Sequence, residues 1–432
     1  MSKKAVEWLY RELPGLVEKG ILTPETAENL RHHYGAPDVT PGRRTVLLLF
    51  GVIGTILVGL GIILIFAHNW ENLPRITRLL IATGLLLFSQ AISGFTLYRK
   101  QDSLIWRESA GTFQFLMLGA AMAIVGQTYH LAEDTDAFLR TWLLLSSPVI
   151  YLLHSRSAGI FYTLGLTFWT AGGPFRLEAQ WPWLLLLSGL VLPHYYRLIK
   201  QERYANTTII TCWVANVCFY IAFTAVFNRF LDHFGMLTYV ALFVCNVLIG
   251  RLWFSRQTSG WPMPFQGIGL TGITVLLFFL TFRSSGRQLT MPVTPFLAET
   301  SLVIVVLFLL LYIQGLFIRR LNWRKDLPLL LAPFIVAGGY LFNLADPGGM
   351  TTTILANIFF LFISLHTIRA GVHQQQLGLV NAGMLLLTAI IAARFLDIDF
   401  SFIVRGLVFM LLGIAFLGTN LYLVRSKGGG KL

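Results

Sequence analysis

Fourteen apolar stretches alternate with short polar ones between Thr45 and Val424. Their approximate bounds are 45–67, 75–97, 111–129, 138–154, 158–173, 182–199, 206–228, 234–254, 265–283, 294–318, 327–345, 351–369, 376–395 and 402–424. A hydrocarbon layer of about 30 Å is crossed by roughly 20 residues of helix. Backbone groups surrounded by lipid must pair within their own segment, so runs of this length predict helices rather than strands. The expected fold is all-α: a polytopic transmembrane helical bundle of about 14 spans. The fourth and fifth stretches are short, with only His154-Ser155-Arg156-Ser157 between them, and a re-entrant pair is the alternative there.

Ahead of the first stretch, Val6, Leu9, Leu13, Leu16 and Val17 recur at helical spacing, with Pro14 dividing or kinking that helix. Gly20 is placed to end it. Thr23-Pro24-Glu25 then reads as an N-cap, a first-position proline and an early carboxylate that suits the helix dipole. Residues 1–44 are therefore expected to form a small cytoplasmic helical hairpin and linker, 45–424 the transmembrane domain, and 425–432 a basic cytoplasmic tail. The hairpin is too small for a core of its own. It is expected to pack on the membrane domain, on a second copy through self-association, or on a cytoplasmic protein partner, using residues 1–35.

Composition agrees: 55% of residues are hydrophobic and 12% charged, which excludes a pair of ordinary globular domains in water. A net charge of +13 is also found in nucleic-acid-binding proteins, but its distribution here points to the lipid bilayer instead. If all fourteen stretches span, 24 of the 33 basic residues fall on the side of both termini, whereas the acids divide ten and ten. That bias is the positive-inside signature and places both termini in the cytoplasm. Losing one span would invert every later loop and spoil it. A polar segment of more than forty residues precedes the first apolar run, so no secretory signal is expected. Cys212, Cys218 and Cys245 all lie within apolar runs and lack metal-ligand spacing. Trp70, Trp106, Trp142, Trp181, Trp183, Trp253, Trp261 and Trp323 fall near predicted helix ends and are expected to serve as interfacial anchors. Gly119 with Ala123, and Gly378 with Ala382, are small residues four apart that would admit close helix neighbours.

Trp8 to Pro14, followed by Glu18-Lys19-Gly20-Ile21-Leu22-Thr23-Pro24-Glu25, resembles the opening of a bacterial family of predicted membrane proteins, the domain of unknown function DUF2157. Ala67-His68-Asn69-Trp70-Glu71 and Gly126-Gln127-Thr128-Tyr129-His130 are similar to features that recur in it after the first helix and at the end of the third. Arg394-Phe395-Leu396-Asp397 with Arg405-Gly406 resembles a pattern in related large membrane proteins. The resemblance implies a multi-pass protein of the bacterial cytoplasmic (inner) membrane and transfers no activity.

In this topology the resembling segments share the outer side. Asn69, Glu71, Arg75 and Arg78 border the first two spans. Gln127, Tyr129, His130, Glu133, Asp134, Asp136 and Arg140 border the third and fourth, and Arg394, Asp397, Asp399 and Arg405 the last two. Arginine is usually excluded from that side, so its presence suggests capture of a phosphate or carboxylate. The plainer alternative is pairing with neighbouring acids or lipid phosphates. The acids at 133–136 match no metal motif, and a solvated acidic loop is the simpler reading. Polar residues inside spans, Asn216, Asn246, Gln314, Asn357 and Asn381, are costly in lipid and mark either helix–helix bonds or a substrate path. Hydrolase, ATPase and redox signatures are missing, so neither an enzyme nor a cofactor has positive support. Transport or flipping of an anionic, amphipathic, lipid-linked or envelope substrate is the favoured function. The alternatives are a membrane-embedded enzyme of envelope metabolism facing outward, and a scaffold or sensor acting through residues 1–35.

Overall fold

Helices account for nearly all of the described residues. The computed structural model describes residues 12–13, 15–18, 20–34, 49–58, 61, 73–130, 134–173, 177–228, 231, 233–254, 263–290, 297–317 and 323–397, with isolated positions at 410, 413, 414 and 418. The helices are α1 (Pro24–Tyr34), α2 (Leu49–Val58), α3 (Arg75–Arg99), α4 (Leu104–Thr128), α5 (Thr135–Leu152), α6 (Arg156–Ala171), α7 (Leu177–Glu202) and α8 (Asn206–Phe227). They continue as α9 (Gly235–Trp253), α10 (Pro264–Leu280), α11 (Arg283–Arg287), α12 (Leu297–Phe317), α13 (Trp323–Ala345), α14 (Met350–His373) and α15 (Leu377–Asp397). Thirteen of the fourteen predicted stretches thus hold a helix; the fourteenth lies outside the described residues apart from the isolated positions. Among the described residues, seven helices are long and apolar enough to cross a membrane. The chain is a helical membrane protein.

In α3 the buried positions are Ala82, Ser89, Ser93 and Thr96, whereas Leu80, Leu87, Phe88 and Phe95 are exposed. A soluble helix would reverse that arrangement. In lipid, large apolar side chains lose nothing by facing the solvent, and small ones let helices approach closely. The inward hydroxyls are used: Ser93 Oγ donates to Gln114 Oε1 of α4 at 2.7 Å, and Thr96 Oγ1 to the Ile92 carbonyl at 2.8 Å.

Two compact units are present. The first contains α1 to α5, α6 as far as Trp169, and residues 179–194; the second contains residues 170–178 and everything from Tyr195 onward. In the first, Gly20 (φ +68°) ends the preceding helical turn, with the amides of Gly20 and Ile21 bonded to the carbonyls of Val17 and Leu16. Thr23 Oγ1 accepts the Thr26 amide at 3.2 Å, so it caps α1 as its sequence indicated. In the second, α9 is central, packing against α10, α12 and α13. Val240, Ala241, Val244, Val247 and Leu248 are fully enclosed there.

The short α5–α6 pair has a specific joint. His154 turns the chain in the left-handed region (φ 49°), and Ser155 Oγ then accepts the Ala158 amide. Glu108, in the second turn of α4 and 2% exposed, reaches this point from 49 residues away. Its Oε2 accepts the Ser157 amide at 2.8 Å, Ser157 Oγ at 2.8 Å and Ser155 Oγ at 2.9 Å. A carboxylate held on free amides at a helix N-terminus is favoured by both the hydrogen bonds and the dipole.

Two packing expectations resolve differently. Gly119 is needed: a Cβ there would lie 2.5 Å from the ring of Trp142. Trp142 is not an interfacial anchor, since it sits mid-helix and its indole N–H donates to the Phe115 carbonyl at 2.9 Å. Gly378 faces open space, and Ala382 is exposed. The close α14–α15 approach runs instead through Gly371 and Gly383, where a Cβ would meet Val380 and Ile368 at 2.6 and 2.7 Å.

Gly119→Val should destabilise the solubilised protein by about 1–3 kcal/mol through overpacking, and Gly378→Ala should be neutral or slightly stabilising, both read from thermal unfolding in detergent. Glu108→Ala should cost about 1–3 kcal/mol by stranding the Ser157 amide and two hydroxyls.

Candidate functional site

The feature of the first unit best suited to holding a ligand is a cleft of about 1330 Å³ between α3, α4 and α5. Its walls are apolar: Ala82 and Leu86 from α3, Leu118 and Met122 from α4, Phe138 and Leu145 from α5. One end is polar, where Gln127, His130, Asp134 and Thr135 gather. This follows from chain geometry. The last turn of α4 carries Gln127, and the chain passes Tyr129, whose amide bonds the Val125 carbonyl and caps the helix. It turns at His130 in the left-handed region (φ 49°) and re-enters helix at Asp134, whose carboxylate accepts the Ala137 amide at 3.0 Å. One oxygen of Asp134 is therefore spent as an N-cap, which refines the plain reading of a solvated acidic loop.

Beside this end lies a second polar group in the same unit. Asp136 Oδ1 accepts the Trp169 indole at 2.7 Å and the Gln180 amide at 2.6 Å, and Oδ2 pairs with Arg140 at 2.5 Å. The Arg140 guanidinium also lies over the Trp183 ring at 5.1 Å. Arg140 is thus held by a neighbouring acid and an aromatic face, the plainer of the two readings offered by the sequence.

Of the other sequence candidates in this unit, Arg75 is exposed at the start of α3, and Arg78 Nε donates to the Leu73 carbonyl at 3.0 Å. Tyr129 is half exposed and does not line the cleft. Asn69, Glu71 and Glu133 lie outside the described residues. So Gln127 and His130 come together, Arg140 joins a separate cluster, and Arg75, Arg78 and Tyr129 stand apart from the cleft lining.

In the second unit, Asn246 Nδ2 donates to Asn216 Oδ1 at 3.2 Å between buried positions, the interhelical bond that the sequence suggested. Asn357 Nδ2 donates to the carbonyls of Thr281 and Thr353 at 3.0 and 2.7 Å. Asn381 is exposed, and Gln314 lies within α12. The Arg394 guanidinium sits 5.2 Å from the Phe282 ring centre. Asp397 ends α15, and Asp399 and Arg405 lie outside the described residues.

Sequence reasoning overlooked a polar cluster here. Asn343 Nδ2 donates to the carbonyls of Gly286 and Leu289 at 2.6 and 2.9 Å, and Thr352 Oγ1 donates to Asn343 Oδ1 at 2.6 Å. Asp346 accepts the amide and hydroxyl of Thr351 at 2.9 and 3.0 Å and the Gly348 amide at 3.1 Å. These bonds, those from Thr351 foremost, hold its carboxyl below the ordinary 3.8. A pair of arginines on α11, spaced four apart, was the only available signal.

A lowered carboxylate pKa adds stability that is present above the unfolded value and lost as pH falls through the folded one. The Asp346 turn should therefore be constant through neutral pH and loosen only below about pH 4, with Asp346→Asn abolishing that acid-dependent step in amide exchange of residues 348–351. Asp136→Ala should strand the Trp169 and Gln180 donors and cost about 1–3 kcal/mol, more than Arg140→Gln in the same thermal assay.

No curated protein and no solved structure matches the chain. Residues 14–159, a span that holds every residue lining the cleft, match the model of the family described as Predicted membrane protein (DUF2157).

Proposed function

We propose that this protein binds an amphipathic lipid or lipid-linked molecule in the cleft of its first unit and moves it across the bacterial inner membrane, with both of its own termini in the cytoplasm. The observation that carries the reading is the composition of that cleft: apolar walls of helical length closed at one end by Gln127, His130, Asp134 and Thr135. Hydrocarbon suits the walls, and a headgroup that both donates and accepts hydrogen bonds suits the end. The cleft is also a property of the family-matched segment.

An anionic headgroup is less well served in this cleft than the sequence suggested. Arg140 is engaged by Asp136, and the cleft end offers one imidazole, one amide, one hydroxyl and one carboxylate, with no Lys or Arg among its lining residues. A hydroxyl-bearing headgroup fits these partners better, because each hydroxyl can donate to Asp134 and accept from Gln127.

Gly126 lines the cleft, and a Cβ added there meets nothing within 4 Å. Gly126→Leu should therefore narrow the cleft at its polar end while its Cβ fits without a clash. In liposomes containing the full-length chain, leaflet exchange of a fluorescent glycolipid should fall about tenfold or more, corresponding to about 1.4 kcal/mol or more. Unchanged exchange in a variant with unaltered thermal stability would remove the reading.

A further inference from the structure

We propose that Arg283 and Arg287 form a binding site for the phosphate of a membrane-lipid headgroup in the second unit, separate from the cleft. The two residues lie four apart on α11, and the Nε groups of both donate to one oxygen, the Gly348 carbonyl, at 3.3 and 3.0 Å. Two cations are thereby brought side by side and exposed. Among the described residues neither forms an ion pair. The nearby acid, Asp346, accepts from Gly348 and Thr351 and forms no ion pair with either arginine. Like charges at this spacing oppose one another, and an anion between them relieves the repulsion. With Nε bound to Gly348, the Nη groups of each guanidinium keep donors that suit a tetrahedral oxyanion.

The base beneath the pair is fixed rather than fluid. A Cβ on Gly286 would meet Thr353 Oγ1 at 2.7 Å. Gly349 adopts φ +69°, and a Cβ on it would sit 2.7 Å from the Arg287 amide. The backbone of α11 is thus seated directly on the α13–α14 turn, and Asn343 ties the Gly286 carbonyl of α11 and the Leu289 carbonyl just beyond it. A site held this way pays little ordering entropy when it binds.

Placement favours a lipid over a soluble phosphate. α11 follows α10 after two residues, so the arginines stand where an apolar helix ends. Phe279, one turn before Arg283, is 54% exposed, and Met350, next to Gly349, is 55% exposed. Apolar surface therefore adjoins the charged pair, as acyl chains beside a headgroup require.

The test uses the full-length chain in detergent, with phosphatidylglycerol added and bound lipid counted by native mass spectrometry. Arg283→Gln with Arg287→Gln should weaken retention of one phosphatidylglycerol about tenfold or more, and the paired Lys variant should fall between that and the unmodified protein. Phosphatidylglycerol, compared with an uncharged diacylglycerol, should also slow amide exchange over 283–289 and 346–351 in the unmodified chain, a readout that needs no variant. Equal retention by the Gln pair, or no lipid-dependent protection of these segments, overturns the site. Displacement of the lipid by millimolar glycerol phosphate overturns the lipid assignment in favour of a soluble phosphate ester. Neither readout involves the cleft, so this site and the transport reading stand or fall separately.

Discussion

A polar group placed among apolar helices must find its partner inside the protein, because hydrocarbon offers none. Most of the polar architecture of this chain follows from that requirement. The hydroxyls of Ser93 and Thr96, the amides of Asn246, Asn343 and Asn357, the side-chain carbonyl of Asn216 and Oε2 of Glu108 take fixed internal bonds, whereas Glu108 Oε1 and Asn216 Nδ2 are buried without a hydrogen-bond partner among the described residues. Each of these bonds except that of the Thr96 hydroxyl, which returns to Ile92 within α3, ties one helix to another or to a helix end. The same requirement explains why α3 turns serine and threonine inward and gives leucine and phenylalanine to the outside.

With those groups spent, the exceptions carry the functional argument. In the first unit, Gln127 and His130 remain exposed at the end of an otherwise apolar cleft. In the second, Arg283 and Arg287 converge on one carbonyl and, among the described residues, form no ion pair. Arg140 shows the contrast. It also looked like a ligand-binding cation, yet Asp136 one turn earlier takes it up.

Span positions were legible because hydropathy is a local property. Most helices of the described residues begin and end within about five residues of the apolar stretches, although α4 starts at Leu104 rather than 111, and the Gly20 and Thr23 helix ends are also local chemistry. What could not be read depends on which helices meet. Glu108 and Ser157 are 49 residues apart, and nothing in either neighbourhood announces the bond. Trp142 sits near one end of a predicted stretch, but only the packing of α5 on α4 turns its indole toward Phe115. Gly378 and Gly383 are equally small, and register alone decides that only the second touches α14. At the candidate site the same division holds. The turn that carries Gln127 and His130 was visible as a motif, whereas the walls of the cleft come from three helices. Asp346 was obscured because its role depends on Gly348 and Thr351 folding back onto it.

The central claim is that the cleft between α3, α4 and α5 is a seat for a lipid chain with its headgroup at Gln127 and His130. An electron cryomicroscopy map of the protein in lipid nanodiscs tests it most directly. The account predicts elongated, chain-like density running from the Gln127–His130 end past Met122 to Leu86. A cleft filled by the protein's own side chains, or one free of density in a well-ordered map, would contradict it.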